Sequence, residues 1–328
     1  MRKERLWLIG KIAVSTSLIT YFFQKIDIAQ MFNYFITCHF SWLLGAIIIS
    51  FLAFVVWTYK WQILLKTLKV EIEFKKLFSL NLISIFYSLF VPGGQISGEV
   101  IKGVKLINLC KRSSEVLVSI AMDKLTGLLA LVILALCGIF VQHSIIKDYK
   151  LLIGILAILA GITFFALITL NRQSVFLAEK TGRFIFEIEK LRFLKKYILP
   201  LWNLFKAYRK DTASMGKVVG YSFIYQLLGI IICYFAALSV KIQISFIVFM
   251  WVASIVFLIQ ALPISISGIG VREGAFIFLL AQHQVPTSQA LALSLIIFGI
   301  TIIIGLVGGI IEIKEYYIHW KERRILND

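Results

Sequence analysis

The chain has 328 residues, of which 60% are Ala, Val, Ile, Leu, Met, Phe, Trp, Tyr or Cys, and this excludes an ordinary soluble protein. Its 34 Lys and Arg against 17 Asp and Glu leave a formal charge of +17, an excess that on a soluble domain would point to nucleic acid. Here the charges fall in blocks between apolar runs of about 18 residues or more, the spacing of bilayer-spanning helices, so the partners expected are membrane lipids and not nucleic acid. Cys38, Cys110, Cys137 and Cys233 stand far apart with no CxxC pair and read as small apolar core residues.

The first apolar run, Leu6 to Phe23, follows Arg2, Lys3 and Arg5. No small-x-small cleavage site closes it, so a retained span is expected. Phe40 to Tyr59 is the second span and ends in the basic block Lys60, Lys66, Lys69, Lys75, Lys76. Leu77 to Val91 is apolar but only about 15 residues long, too short to cross comfortably. It stops at Pro92-Gly93-Gly94, and a second short stretch, Ile96 to Leu109, carries Glu99, Lys102 and Lys105. With positive charge at both ends, segment 77–112 is expected to be a re-entrant hairpin.

Spans follow at Glu115 to Val141 and Leu151 to Leu170. Between Asn171 and Lys217 eleven Lys or Arg face four acids, with Phe184, Ile188, Leu191, Phe193 and Leu194 at helical spacing. This basic amphipathic segment is expected on the membrane surface. Val218 to Val240 spans again. Ile244 to Leu262 breaks at Pro263 and gives way to Gly268, Gly270 and the short run Val271 to Ala281, a second broken hairpin over 244–282. Leu291 to Ile313 is the last span, followed by Lys314, Lys321, Arg323 and Arg324.

Threading this order with the N-terminus inside puts all the Lys and Arg on or near the cytoplasmic side except Lys25, Lys147, Lys150, Lys241 and Arg272, as the positive-inside rule asks. The fold class expected is an all-α polytopic membrane protein, one integral domain over 1–328. About six transmembrane helices accompany two oppositely oriented re-entrant hairpins, and both termini are cytoplasmic in the inner or plasma membrane. Two breaks in corresponding halves are the mark of an inverted-repeat transporter with a midplane site.

Backbone groups freed by a break inside lipid cost several kcal/mol each unless they are buried in protein or line a wet cavity. In the first break a helix restarting near Ser97, with Gly94 and Gly98 allowing the turn, aims its N-terminal N–H groups into the bundle. In the second, Ser267 is the expected N-cap, with Gly268, Gly270 and Gly274 around it and Arg272-Glu273 in the first turn. Such N-termini suit a phosphate or carboxylate, and Lys102 and Arg272 add full charges. The candidate head-group site is therefore Arg272, Lys102, Glu99, Glu273, Gly94, Gly98, Gly268, Gly270, Ser267 and Asp123. A second role is open: Glu99 with Lys102, and Arg272 with Glu273 or Asp123, as internal ion pairs holding the hairpins shut. For Asp123-Lys124, interfacial snorkelling competes with a substrate contact.

Neither glycine cluster is a nucleotide motif, since Gly93-Gly94 lacks the P-loop ending and Gly268-x-Gly270-x-x-x-Gly274 has the wrong spacing. His39, His143, His283 and His319 are dispersed without HExxH, and Ser97 and Ser267 have no local His. No cofactor, metal or catalytic residue is expected.

These motifs resemble the transmembrane-region family of lysylphosphatidylglycerol synthases, flippase-like integral membrane proteins. An LPG-rich turn followed by G-[DE]-x-x-R is similar to Val91-Pro92-Gly93-Gly94 and Gly98-Glu99-Val100-Ile101-Lys102, with Lys for the usual Arg. G-[LI]-G-V-R-E-G-A stands intact at Gly268 to Ala275. Lys60-Trp61 with Leu64-Leu65, Asp123-Lys124-x-x-Gly127 and Ala207-Tyr208-Arg209 are weaker matches. The resemblance implies a protein that moves or binds lipids with charged head groups, sometimes fused to a soluble aminoacyl-transferase domain. Nothing soluble is read after Ile313 beyond a short tail, so the synthase activity is not expected. The function expected is translocation of a phospholipid or polyprenyl-phosphate-linked lipid by alternating access. The alternative is a non-transporting, lipid-binding subunit of a membrane glycosyltransferase or lipid-modifying enzyme, and a homo-oligomer is open as well.

Overall fold

The computed structural model describes residues 28–91, 93–141, 208, 210–261 and 268–325. The expected spans Leu6 to Phe23 and Leu151 to Leu170, most of the basic segment 171–217, and Ser267 lie outside them. The described residues are helical throughout: α1 Ile28–Ile36, α2 Phe40–Thr67, α3 Phe74–Phe90, α4 Gln95–Cys110, α5 Ser113–Val141, α6 Thr212–Ser239, α7 Phe246–Ala261, α8 Val271–Ala281 and α9 Thr287–Ile325. Four of these, α2, α5, α6 and the Thr287–Tyr317 part of α9, are long and apolar enough to cross a membrane. At 1.5 Å per residue, 28 residues make about 42 Å, well over the ~30 Å hydrocarbon core. Phe40, Ile48, Leu52, Ile224 and Ile310 point outward on these helices, the face a lipid environment asks for. The chain is a polytopic helical membrane protein.

Both broken segments are present as pairs of short helices. α3 (17 residues) and α4 (16 residues) pack against each other across the turn at 91–94. α7 (16 residues) and α8 (11 residues) do so across the break before Gly268. Gly94 takes φ 62° and ψ −133°, a backbone only glycine adopts freely, and caps α4. The restart is thus at Gln95, two residues before the expected Ser97. Gly98 fixes the approach of the two helices: a Cβ there would stand 2.0 Å from Ser88 Oγ and 2.1 Å from the Ser84 carbonyl oxygen. Close backbone contact through small residues is how helices associate where water supplies no hydrophobic drive.

The same device seats α9 on α3, since a Cβ on Gly308 would fall 2.1 Å from the Leu82 carbonyl oxygen. Four charges and a phenol then tie the two together: Lys76 Nζ is 2.8 Å from Glu315 Oε1, Tyr87 donates to Glu312 Oε1 at 3.0 Å, and Lys105 of α4 pairs with Glu312. On the other side Gly138 of α5 meets Trp251 of α7 in a wholly apolar seam. Exchanging α2 with α6, α3 with α7, α4 with α8 and α5 with α9 carries the principal contacts among these helices onto one another, the α5–α6 contact excepted.

Two helix ends differ from expectation for one reason. α2 runs on to Thr67 instead of stopping near Tyr59, because Lys60 and Trp61 are buried by neighbouring helices and the turn comes only at Lys69 (φ 58°). α9 continues past Ile313 to Ile325, its Glu312 and Glu315 held by the first hairpin.

Candidate functional site

Lys60 sits one turn and more inside α2, where a bare ammonium would cost several kcal/mol to desolvate. It is only 2% exposed, with Nζ 2.7 Å from Asp123 Oδ1 on α5 and a further bond to the Asp123 carbonyl oxygen at 3.1 Å. The other carboxylate oxygen of Asp123 accepts from Trp57 Nε1 at 3.0 Å. Both charges are therefore matched in a closed unit.

Beside it, Glu99 of α4 stands between two ammonium groups. Its Oε2 is 2.8 Å from Lys102 Nζ and its Oε1 is 2.8 Å from Lys124 Nζ. Lys102 is fully buried and its Nζ lies 4.6 Å and 4.4 Å from the ring centroids of Trp57 and Trp61, a doubled cation–π contact that desolvation strengthens. Lys124 has no such clamp; its side chain is 48% exposed.

In the second break Gly270 caps α8, and Glu273 supplies what its missing side chain cannot: Oε2 accepts from the Gly270 N–H at 2.6 Å. Ser267, the expected N-cap, is therefore replaced in that role by Gly270 and Glu273. Glu273 Oε1 also meets Arg272 Nη2 at 2.6 Å and accepts from Ser294 Oγ at 3.0 Å, while Ser294 accepts from Arg272 Nε at 2.8 Å. The guanidinium carbon stands 5.1 Å from the Phe298 ring centroid.

Several of these groups line a cavity of about 360 Å³ between the helices. Glu99 reaches it from the first hairpin and Arg272 from the second, with Lys60, Asp123 and Lys124 between them. Ile297, Ile300 and Ile304 of α9 form an apolar wall. Among the described residues no group of three or more His, Cys, Asp or Glu could hold a metal ion.

Residues 8–309 match the family described as the lysylphosphatidylglycerol synthase TM region. The chain belongs to that family. No curated protein and no solved structure matches it.

The placement of the candidate residues separates roles that the sequence left together. Glu99, Asp123 and Arg272 line the cavity. Lys102 lies behind Glu99, off the wall, and Glu273 stands behind Arg272. Gly94 and Gly270 are helix caps, Gly98 is a packing contact, and Gly268 (φ 79°) makes the turn into α8. Asp123 pairs with Lys60 and not with Arg272. Asp123 is buried in its pair with Lys60, and Lys124 turns to Glu99. In the sequence Lys60 stands at the head of a basic block, and Lys124 is open between a substrate contact and interfacial snorkelling. The signal that could have found Lys60 is its place between Trp57 and Trp61, whose indole N–H groups bond Asp123 and Ser119 of α5 and whose rings take Lys102.

Proposed function

We propose that this member of the lysylphosphatidylglycerol synthase TM region family moves a phospholipid or polyprenyl-phosphate-linked lipid with a charged head group across the membrane by alternating access. One observation carries the reading: the same cavity is reached by a charged side chain from each helix break, Glu99 and Arg272. A volume of about 360 Å³ is near the lower end of small-ligand pockets, enough for a head group but not for acyl chains, so the tails stay in lipid while the head group passes.

In this reading α3/α4 and α7/α8 are re-entrant hairpins. Helices of 11 to 17 residues make about 17 to 26 Å and fall short of the ~30 Å core. The hairpins enter from opposite faces, the first from the cytoplasm. The near-exchangeable contacts of α2–α5 and α6–α9 support an inverted repeat whose halves rock about the cavity. The protein lies in the cell membrane with both termini cytoplasmic. The protein performs no covalent chemistry.

A second reading, a lipid-binding subunit of a membrane enzyme, is favoured by the closed pairs Lys60–Asp123 and Arg272–Glu273, which would equally hold a static bundle together. The deciding experiment is head-group scrambling by the purified protein in liposomes across a panel of fluorescent phospholipids and polyprenyl phosphates. Movement of one class above protein-free vesicles is expected; no movement of any class puts the subunit reading ahead.

A further inference from the structure

Among the described residues seven charged side chains lie on or directly behind the cavity wall: Lys60, Lys102, Lys124 and Arg272 against Glu99, Asp123 and Glu273. Two pairs close on themselves. Lys60 with Asp123 is 2–3% exposed and further satisfied by a backbone carbonyl and Trp57; Arg272 with Glu273 is held by Ser294 and Phe298. What remains is one carboxylate, Glu99, shared by two ammonium groups. Of these Lys102 is fully buried between two indole rings and off the wall, whereas Lys124 lines the cavity with half its side chain exposed. The surplus positive charge of the empty site is thus carried at Lys124 and faces the cavity.

We propose that Lys124 is the group that meets the ligand, that Glu99 holds its place while the site is empty, and that the ligand is a lipid head group with one net negative charge on a phosphodiester. The proposal rests on the reading of the cavity as a lipid head-group site. A monoanion beside Glu99 sets two anions against the two cations Lys102 and Lys124, and Glu99 keeps Lys102 when the phosphate takes Lys124, so no buried charge is left alone. A zwitterionic head group leaves the excess in place. A phosphomonoester carries about −1.5 to −2 at pH 7 and overshoots it. Lysine suits the task because it offers a point charge on a flexible stem that can change partner, which a forked, pinned guanidinium such as Arg272 cannot do as readily.

The test titrates the detergent-purified full chain with short-chain phosphatidylglycerol (one negative charge), phosphatidylcholine (none) and phosphatidic acid (a monoester), following Trp fluorescence and melting temperature. Glycerophosphoglycerol, which has the same head group without acyl chains, and inorganic phosphate separate a lipid from a soluble anion. Phosphatidylglycerol is expected to bind about tenfold or more tighter than the other two lipids, and either soluble anion more weakly still. Lys124→Gln is expected to lower its affinity by about tenfold or more, and Lys124→Arg to restore most of it, with the melting temperature of the empty protein unchanged. Equal binding of phosphatidylcholine, or wild-type phosphatidylglycerol affinity in Lys124→Gln, overturns the proposal. Tight, Lys124-dependent binding without movement across liposomes overturns the transport reading and leaves this inference standing. Movement that Lys124→Gln does not slow does the reverse.

Discussion

Lys60 Nζ and Asp123 Oδ1 stand 2.7 Å apart, on helices α2 and α5, with neither side chain more than 3% exposed. A pair so placed is costly to form and costlier to break, because removing one partner strands the other in a low-dielectric interior. Lys60→Met alone should cost about 3–5 kcal/mol, and Lys60→Met with Asp123→Asn should cost less, since the asparagine still accepts from Trp57. Thermal unfolding of the four proteins of this double-mutant cycle measures it; a double variant less stable than either single one would contradict the pairing.

The Arg272–Glu273 unit has a parallel consequence. Arg272→Ala should lower the melting temperature by leaving the Glu273 charge buried. Adding Glu273→Gln should recover much of the loss, because the glutamine can still accept from the Gly270 N–H and cap α8. The role of Arg272 in lipid movement separates from its role in folding if the restored double variant folds yet fails in the liposome assay.

Gly98→Ala places a methyl group 2.1 Å from the Ser84 carbonyl oxygen, a backbone atom that cannot step aside. The substitution should cost about 1–3 kcal/mol and widen the first hairpin. Gly216→Ala is the matched control, since a Cβ there meets nothing within 4 Å. Equal melting temperatures for the two variants would rule out the tight α3–α4 contact.

Asp211 caps α6 by accepting from the Ser214 N–H at 3.0 Å, and its hydrogen bonds from Ser214 hold the carboxyl below its ordinary value. A carboxylate with a depressed folded-state value contributes stability above the unfolded value, about 3.9, and loses it as the pH falls through the folded one. Amide exchange over Thr212–Met215 should therefore be slow at neutral pH in the wild type. It should quicken in strong acid, and be fast at every pH in Asp211→Ala.

The breaks in the chain were legible in sequence because proline and glycine act locally: Gly93-Gly94 and Gly268-x-Gly270 stand where the helices stop, and Val271 to Ala281 matches α8 end for end. The charged site was legible only in part. Glu99 and Arg272 lie beside those breaks and advertise themselves. Lys60 and Lys124 do not, since a lysine near the end of an apolar run has the same local sequence whether it reaches for water or for a carboxylate on another helix. What decides is the packing of α2 and α4 against α5, which sets Asp123 beside Lys60 and Glu99 beside Lys124, a tertiary fact. Ser267 has the side-chain chemistry of an N-cap, yet the cap position of α8 is Gly270, and Glu273 reaches back to its N–H from inside the helix.

α9 is 39 residues long, about 58 Å, so a good part of it must project past a hydrocarbon core of ~30 Å. The same rod is fastened to the first hairpin through Glu312 and Glu315 and presents Ile297, Ile300 and Ile304 to the cavity. It is therefore a lever with its load at the cavity and its handle outside the bilayer. A force applied at residues 318–325, whether by the charged surface of the membrane or by another protein, would be felt at the cavity without passing through lipid.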